Sequence, residues 1–184
     1  DTIKRVLQEM PAPDLSILNA GDYNPGPVNQ TNIDDFRRIM EVNYFGVLNC
    51  LLPLLNVAPP SGVSHIAIVG SLAGYRGLPN ASGYGPSKAA VISLAESLKA
   101  ELPEDKYKIQ LINPGFVQSS LTQKNDFKMP QLLTADQAAT AIIKGLTSSK
   151  FEIVFPNRFA LTMKFVQTLP YRFYFKLIRK FASA

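Results

Sequence analysis

An α/β fold built on a doubly wound parallel sheet is what this sequence predicts, and three observations carry it. Short apolar, β-branched segments alternate with longer segments that bear helix start signals, in the order β-α-β-α-β-α-β. The clearest strand candidate, SHIAIVGS at residues 64–71, is apolar on both faces in its middle, as a parallel strand covered by helices on both sides must be. Glycine-containing or polar motifs end the first three strands on the same, carboxyl side, where open parallel sheets build their sites.

Each element has its own signal. Residues 1–9 read as the end of a helix. Residues 14–19 are a short apolar strand closed by Ala20 and Gly21. Thr31 with Asp34 has the form of a capping box and opens a long helical segment over residues 32–56. A local distortion is expected within it at Val42, Asn43 and Tyr44, just before Gly46. Pro86 suits the first turn of a helix running from Tyr84 to Glu101. Residues 107–113 form a third strand, stopped by Pro114 and Gly115. Thr134 and Gln137 make a second capping box, whose helix ends near Gly145 or Ser148. Residues 151–155 are the fourth strand, closed by Pro156. Residues 1–156 thus form the main unit, and residues 157–184 a basic, amphipathic helical extension.

Composition sets the bounds. A chain of 184 residues, 46% hydrophobic and 18% charged, suits one soluble domain with a substantial core. The single cysteine, Cys50, excludes an internal disulfide framework and is read as a buried structural thiol. His65, the only histidine, has no second histidine with which to share a metal, and no metal site is expected. The net charge of +5 gathers in the tail: after Glu152 come Arg158, Lys164, Arg172, Lys176, Arg179 and Lys180 and no acidic residue. The rest is close to neutral, which argues against a nucleic-acid-binding face. Residues 1–30 carry no secretion signal and no stretch is long enough to span a bilayer, so the expected location is cytoplasmic.

The chemistry centres on Tyr84 and Lys88. Four residues apart, they meet on one face of a helix. Chance alone supplies such a pair in roughly one of two chains of this composition, so the neighbours decide. Ser71 ends the second strand, Asn19 the first, and Pro114-Gly115 the third, so all converge on one edge of the sheet.

Taken together, Asn19-Ala20-Gly21, Asn43 within Val-Asn-Tyr-Phe-Gly, Ser71, Tyr84-Gly-Pro-Ser-Lys88 and Asn113-Pro114-Gly115-Phe-Val117 resemble the short-chain dehydrogenase/reductase family. The resemblance runs over residues 14–155. It implies a Rossmann-like domain and an NAD(P)-dependent oxidoreductase that interconverts a carbonyl and an alcohol. Tyr84 is implied as general acid/base, with Ser71 hydrogen-bonding the reacting oxygen. Lys88 is implied to favour the phenolate and to hydrogen-bond the nicotinamide ribose, and Asn43 to hold a water leading from Lys88 to solvent. Asn19, Ala20 and Gly21 are implied to lie against the cofactor ribose, and Pro114, Gly115 and Val117 to border the nicotinamide. Ser119 stands where a threonine often contacts the carboxamide. NAD and NADP are equally compatible with these residues. Phe116, Phe127, Met129 and Leu132 suggest an apolar small-molecule substrate, and the family implies a homodimer or homotetramer.

The family pattern begins with a strand and a glycine-rich turn of the type Thr-Gly-x-x-x-Gly-x-Gly, but the first glycine here is Gly21. The expectation is therefore the C-terminal part of the fold, with its first strands missing and residues 14–19 left as an apolar edge. A different class of reading, a non-catalytic nucleotide-sensing or interaction protein on the same scaffold, is opposed by the intact set Asn43, Ser71, Tyr84 and Lys88. An epimerase or dehydratase of the related extended family would need a larger substrate domain than the short tail allows. In that tail Arg172, Lys176, Arg179 and Lys180 recur at helical spacing, with Phe173, Leu177 and Phe181 marking an apolar side. The favoured role is to cover the cleft or a second subunit; the alternative is peripheral contact with an anionic membrane.

Overall fold

Alternate residues of one strand point into two different cores, and this fixes the architecture. In the computed structural model, which describes residues 2–127 and 129–182 (the side chains of 181 and 182 excepted), Ile66 and Ile68 pack with Ile109 and Leu111 in one cluster. Ala67 and Val69 pack with Ile112, Ile153 and Phe155 in another. The strands are β1 (Leu15–Leu18), β2 (Ser64–Val69), β3 (Tyr107–Pro114) and β4 (Glu152–Phe155), parallel throughout and in the spatial order β1-β2-β3-β4. The register pairs Ile66 with Ile109 and Ile68 with Leu111, so each apolar stripe is continuous across the sheet.

Helices close both stripes, giving the expected doubly wound α/β fold. On one face lie α3 (Gly46–Leu54), through Val47, Leu51 and Leu54, and α4 (Tyr84–Glu101), through Val91, Ala95 and Leu98. On the other lies α5 (Ala135–Leu146), through Ala138 and Leu146. Fully burying each of these valine and leucine side chains contributes about 1.5–3 kcal/mol, which is what holds the layers. At the start of the chain α1 (Thr2–Glu9) buries none of its residues. No helix among the described residues is long and apolar enough to cross a membrane.

The capping box at Thr134 and Gln137 forms as expected, but the start of the long second helix moves by one residue. Asn32, not Thr31, caps α2 (Ile33–Met40): its side chain accepts from the Asp35 N–H at 2.8 Å. Thr31 instead donates its hydroxyl to the Pro27 carbonyl at 3.0 Å, closing the turn before the helix. Asparagine caps at least as well as threonine, so the competition was close. The expected distortion is a π-helical turn over Glu41–Phe45, which joins α2 to α3 without a break. His65 is structural, as read: its Nε2 lies 2.7 Å from Gln110 Oε1. Gln110, buried between the layers, spends its amide N–H groups on the Gly145, Ser148 and Lys150 carbonyls at and just beyond the end of α5. Cys50 is only half-buried, in a groove shared with Thr2, Ile3 and Lys4 of α1.

Two helices follow β4. From α6 (Asn157–Thr168), Ala160 and Met163 pack on Leu72, and Val166 is also buried. The residue that docks α7 (Tyr171–Ala182) is Tyr174, 2% exposed. Phe173, expected on the apolar side, is 59% exposed, and the Phe181 side chain lies outside the described residues. The reason is Arg76, whose guanidinium sits 3.8 Å from the centre of the Tyr174 ring and turns that side of the helix inward.

Candidate active site

The carboxyl ends of β1, β2 and β3 open into a cleft of about 640 Å³, and ten of the eleven predicted site residues line it. These are Asn19, Ala20 and Gly21 after β1; Ser71 after β2; Tyr84 and Lys88 on the first turns of α4; and Pro114, Gly115, Val117 and Ser119 after β3. Asn43 stands behind this wall, buried in the π-helical turn.

Local sequence explains each position. Ser71 has extended backbone and ends β2; its Oγ accepts from the Ala73 N–H at 3.1 Å, capping a single helical turn. Gly74 lets this turn lie on α4: a Cβ there would come within 2.8 Å of the Lys88 carbonyl carbon and 2.9 Å of the Ala89 nitrogen. Only glycine permits that approach, and it brings Ser71 to the start of the helix that carries Tyr84. Asn43 ties the β1 exit to the same helix. Its Oδ1 accepts from the Asp22 N–H at 2.6 Å, while its Nδ2 donates to the Asp22 carbonyl at 3.0 Å and to Ser87 Oγ at 2.9 Å.

Burial dominates the electrostatics. It pushes the Tyr84 phenol above its ordinary value, a hydrogen bond with the Ser71 hydroxyl pulls it back, and neighbouring Tyr23 pushes it up again. Lys88, 2% exposed, is pushed down to about 8 by loss of hydration. Its Nζ donates to the Val69 carbonyl at 2.8 Å and sits 5.8 Å from the centre of the Tyr84 ring. The phenol is thus raised where a lowered value was expected, because desolvation is the largest influence on it. An ammonium has three N–H groups, and one of them serves Val69.

On the far side of the cleft the sequence did not single out Tyr23, Lys124 or Asn125. The Tyr23 ring meets Tyr84 edge-on at 5.0 Å, and its hydroxyl donates to Asn125 Oδ1 at 2.8 Å. Lys124 Nζ donates to the Tyr23 carbonyl at 2.6 Å, so Lys124 and Asn125 latch their loop to the β1 exit. Of the residues expected to make the substrate side apolar, Phe116 and Phe127 line the cleft and Met129 and Leu132 do not. Phe116 stacks on Phe159 at 5.7 Å and meets Phe127 edge-on at 5.8 Å, forming an aromatic wall. Phe159 and Met163 of α6 complete the lining. Ser119 is held by Thr122, whose Oγ1 accepts from the Ser119 N–H at 3.0 Å and donates to the Val117 carbonyl at 2.7 Å.

Against known proteins, the sequence profile described as "short chain dehydrogenase" matches residues 1–129. An uncharacterized oxidoreductase of Myxococcus xanthus is 32% identical over 157 residues, which are 85% of this chain and 62% of that protein. Mouse dehydrogenase/reductase SDR family member 7B is 32% identical over 117 residues, 64% of this chain and 36% of its own. Among solved structures, a short chain dehydrogenase from Burkholderia cenocepacia in complex with NADP superposes with a TM-score of 0.75 at 25% identity, covering 88% of this chain and 69% of that one. A short-chain dehydrogenase from Sphingobium yanoikuyae in complex with NADPH has the same fold, at TM-score 0.74 and 20% identity, over 92% and 71% of the two chains. The chain spans less than two thirds of the length of these curated relatives.

Proposed function

The chain belongs to the short-chain dehydrogenase family, and from that premise we propose an NAD(P)-dependent oxidoreductase that interconverts a carbonyl and an alcohol. The observation that carries this reading is the pairing of Ser71 with Tyr84, beside a buried Lys88, in one cleft at the carboxyl edge of a parallel sheet. A phenol held above its ordinary value keeps its proton at neutral pH. It is thus prepared to act as an acid, giving that proton to a carbonyl oxygen as the carbon is reduced. Ser71 would hydrogen-bond the same oxygen and align it with the phenol. In the reverse direction the phenolate would take the proton from the alcohol.

The residues present fit a nicotinamide cofactor, which when bound supplies or accepts the hydride. The buried Lys88 ammonium retains donor capacity on the cleft side and suits ribose hydroxyls. Gly21 lines the same corner of the cleft as Lys88, and a Cβ there would stand 3.6 Å from its Nζ. Asn19 and Ala20 would flank the ribose, and Pro114, Gly115, Val117 and Ser119 the nicotinamide. The neighbours solved with NADP and NADPH support this assignment without choosing between NAD and NADP. Leu72, Leu78, Phe116, Phe127, Phe159 and Met163 favour an apolar substrate. Exposed Phe45 and Leu52, on the π-helical turn and α3, support a homo-oligomer formed through that face.

The test is Tyr84→Phe in the full-length protein, with NADPH or NADH binding followed by fluorescence. Turnover should fall by about 10²–10⁴-fold, the usual contribution of a positioned acid/base, while cofactor affinity stays within about twofold. Activity within tenfold of the parent would remove Tyr84 from this role.

A further inference from the structure

We propose that the outer surface of α6 and α7 docks on an anionic lipid membrane. The inner sides of both helices are already committed. Ala160, Met163 and Val166 of α6 face the protein. Tyr174 of α7 is clamped between Arg76 and the Gly77 carbonyl, to which its hydroxyl donates. Arg76 also donates to the Val166, Gln167 and Leu169 carbonyls at 2.8, 2.9 and 2.6 Å, fixing the end of α6. The pair of helices cannot roll to hide what it leaves outside.

What it leaves outside is unusual. Leu161 and Phe165, four residues apart on α6, are 68% and 66% exposed. On α7, Tyr171, Phe173 and Phe175 are 72%, 59% and 47% exposed. These groups are interleaved with the exposed cations Arg158, Arg172, Lys176 and Lys180, which make no ion pair among the described residues. Aromatic and aliphatic side chains set among lysines and arginines match the boundary between phosphate headgroups and acyl chains. Helices of 12 residues lie along such a surface and do not span it.

Charge selects this occupant over two others. A second copy packing through the same patch would set cations against cations, since a two-fold interface is self-complementary in position. A nucleic acid would satisfy the charge but gives Leu161 and Phe165 nothing to enter, and Tyr171 and Phe175 already stack on one another at 5.8 Å. The opposite side of α6 contributes Phe159 and Met163 to the cleft. A docked bilayer would therefore lie one helix away from the cleft wall, and a lipophilic carbonyl compound could enter from it. That last step rests on the proposed oxidoreductase function. Membrane docking itself does not, and a binding assay keeps the two separate.

The experiment is co-sedimentation of the full-length protein with phosphatidylcholine vesicles, with and without about 30% phosphatidylserine. Two double variants at exposed positions are compared, Arg172→Glu/Lys176→Glu and Phe165→Ser/Phe173→Ser, each checked by circular dichroism. The parent should bind the anionic vesicles and leave the neutral ones. The charge variant should lose at least about twenty-five-fold in partition, fivefold for each cation removed, and the aromatic variant about tenfold. Absence of anionic-vesicle binding, or binding unchanged in both variants, overturns the proposal. So does a parent that ignores vesicles but forms a dimer, or binds duplex DNA, through these same residues.

Discussion

Lys88 shows how one buried charge can couple a site to stability. Its ammonium is stripped of water and held by one carbonyl, so its folded-state value of about 8 lies below the ordinary 10.5. Between those values the unfolded chain binds the proton that the folded chain has released. Stability attributable to Lys88 should therefore rise as pH climbs from about 8 to 10.5 and be lowest, and flat, below that window. The full change is on the order of 3 kcal/mol. Urea unfolding of the parent and of Lys88→Met across this range measures it; a constant difference would mean the lysine is not desolvated. Sequence found this residue because Tyr84 and Lys88 are tied by helical spacing, and Ser71 by the end of a strand. It could not find Tyr23 or Asn125, whose hydrogen bond joins positions 102 residues apart through two irregular loops. Nor did it foresee the raised phenol, because desolvation is a property of the assembled cleft.

At the level of elements, local chemistry and tertiary packing divide the outcome. The Thr134 capping box and the start of α4 at Tyr84 follow from neighbours within a turn, and both appear where expected. The second helix chose Asn32 over Thr31 because two adjacent residues could each have served. For α7, periodicity marked Phe173 and Leu177; Leu177 is half-buried, but Phe173 is exposed and a cation from a distant loop docks Tyr174 instead. Replacing that cation should loosen the two terminal helices and spare the sheet. Arg76→Ala is expected to cost about 2 kcal/mol through lost carbonyl and ring contacts. Hydrogen exchange should quicken first over residues 157–182, with β2 and β3 unchanged. Uniform loss of protection across the chain would show that the clamp has no local role.

Across the whole molecule, chain order and spatial order coincide, and this leaves β1 on an edge. Leu15 and Ile17 are 41% and 44% exposed there, on a strand that pairs only with β2 among the described residues. The 184-residue chain alone should self-associate through this edge at micromolar concentrations, and Ile17→Lys should suppress the association severalfold. Sedimentation velocity of the two proteins tests it, and identical profiles would place the contact elsewhere. The parallel order and the two helical layers were legible from strand patterning, whereas the mutual placement of α6 and the cleft was not, since no periodicity encodes which loop a terminal helix meets. That placement has a thermodynamic consequence. The cleft takes its walls from residues as far apart as Asn19 and Met163, so a bound molecule would cross-link the two ends of the chain. Its binding energy would then be drawn on by every unfolding route that opens the cleft. Resistance to heat would rise with the logarithm of free ligand concentration, making occupancy a property of the whole chain.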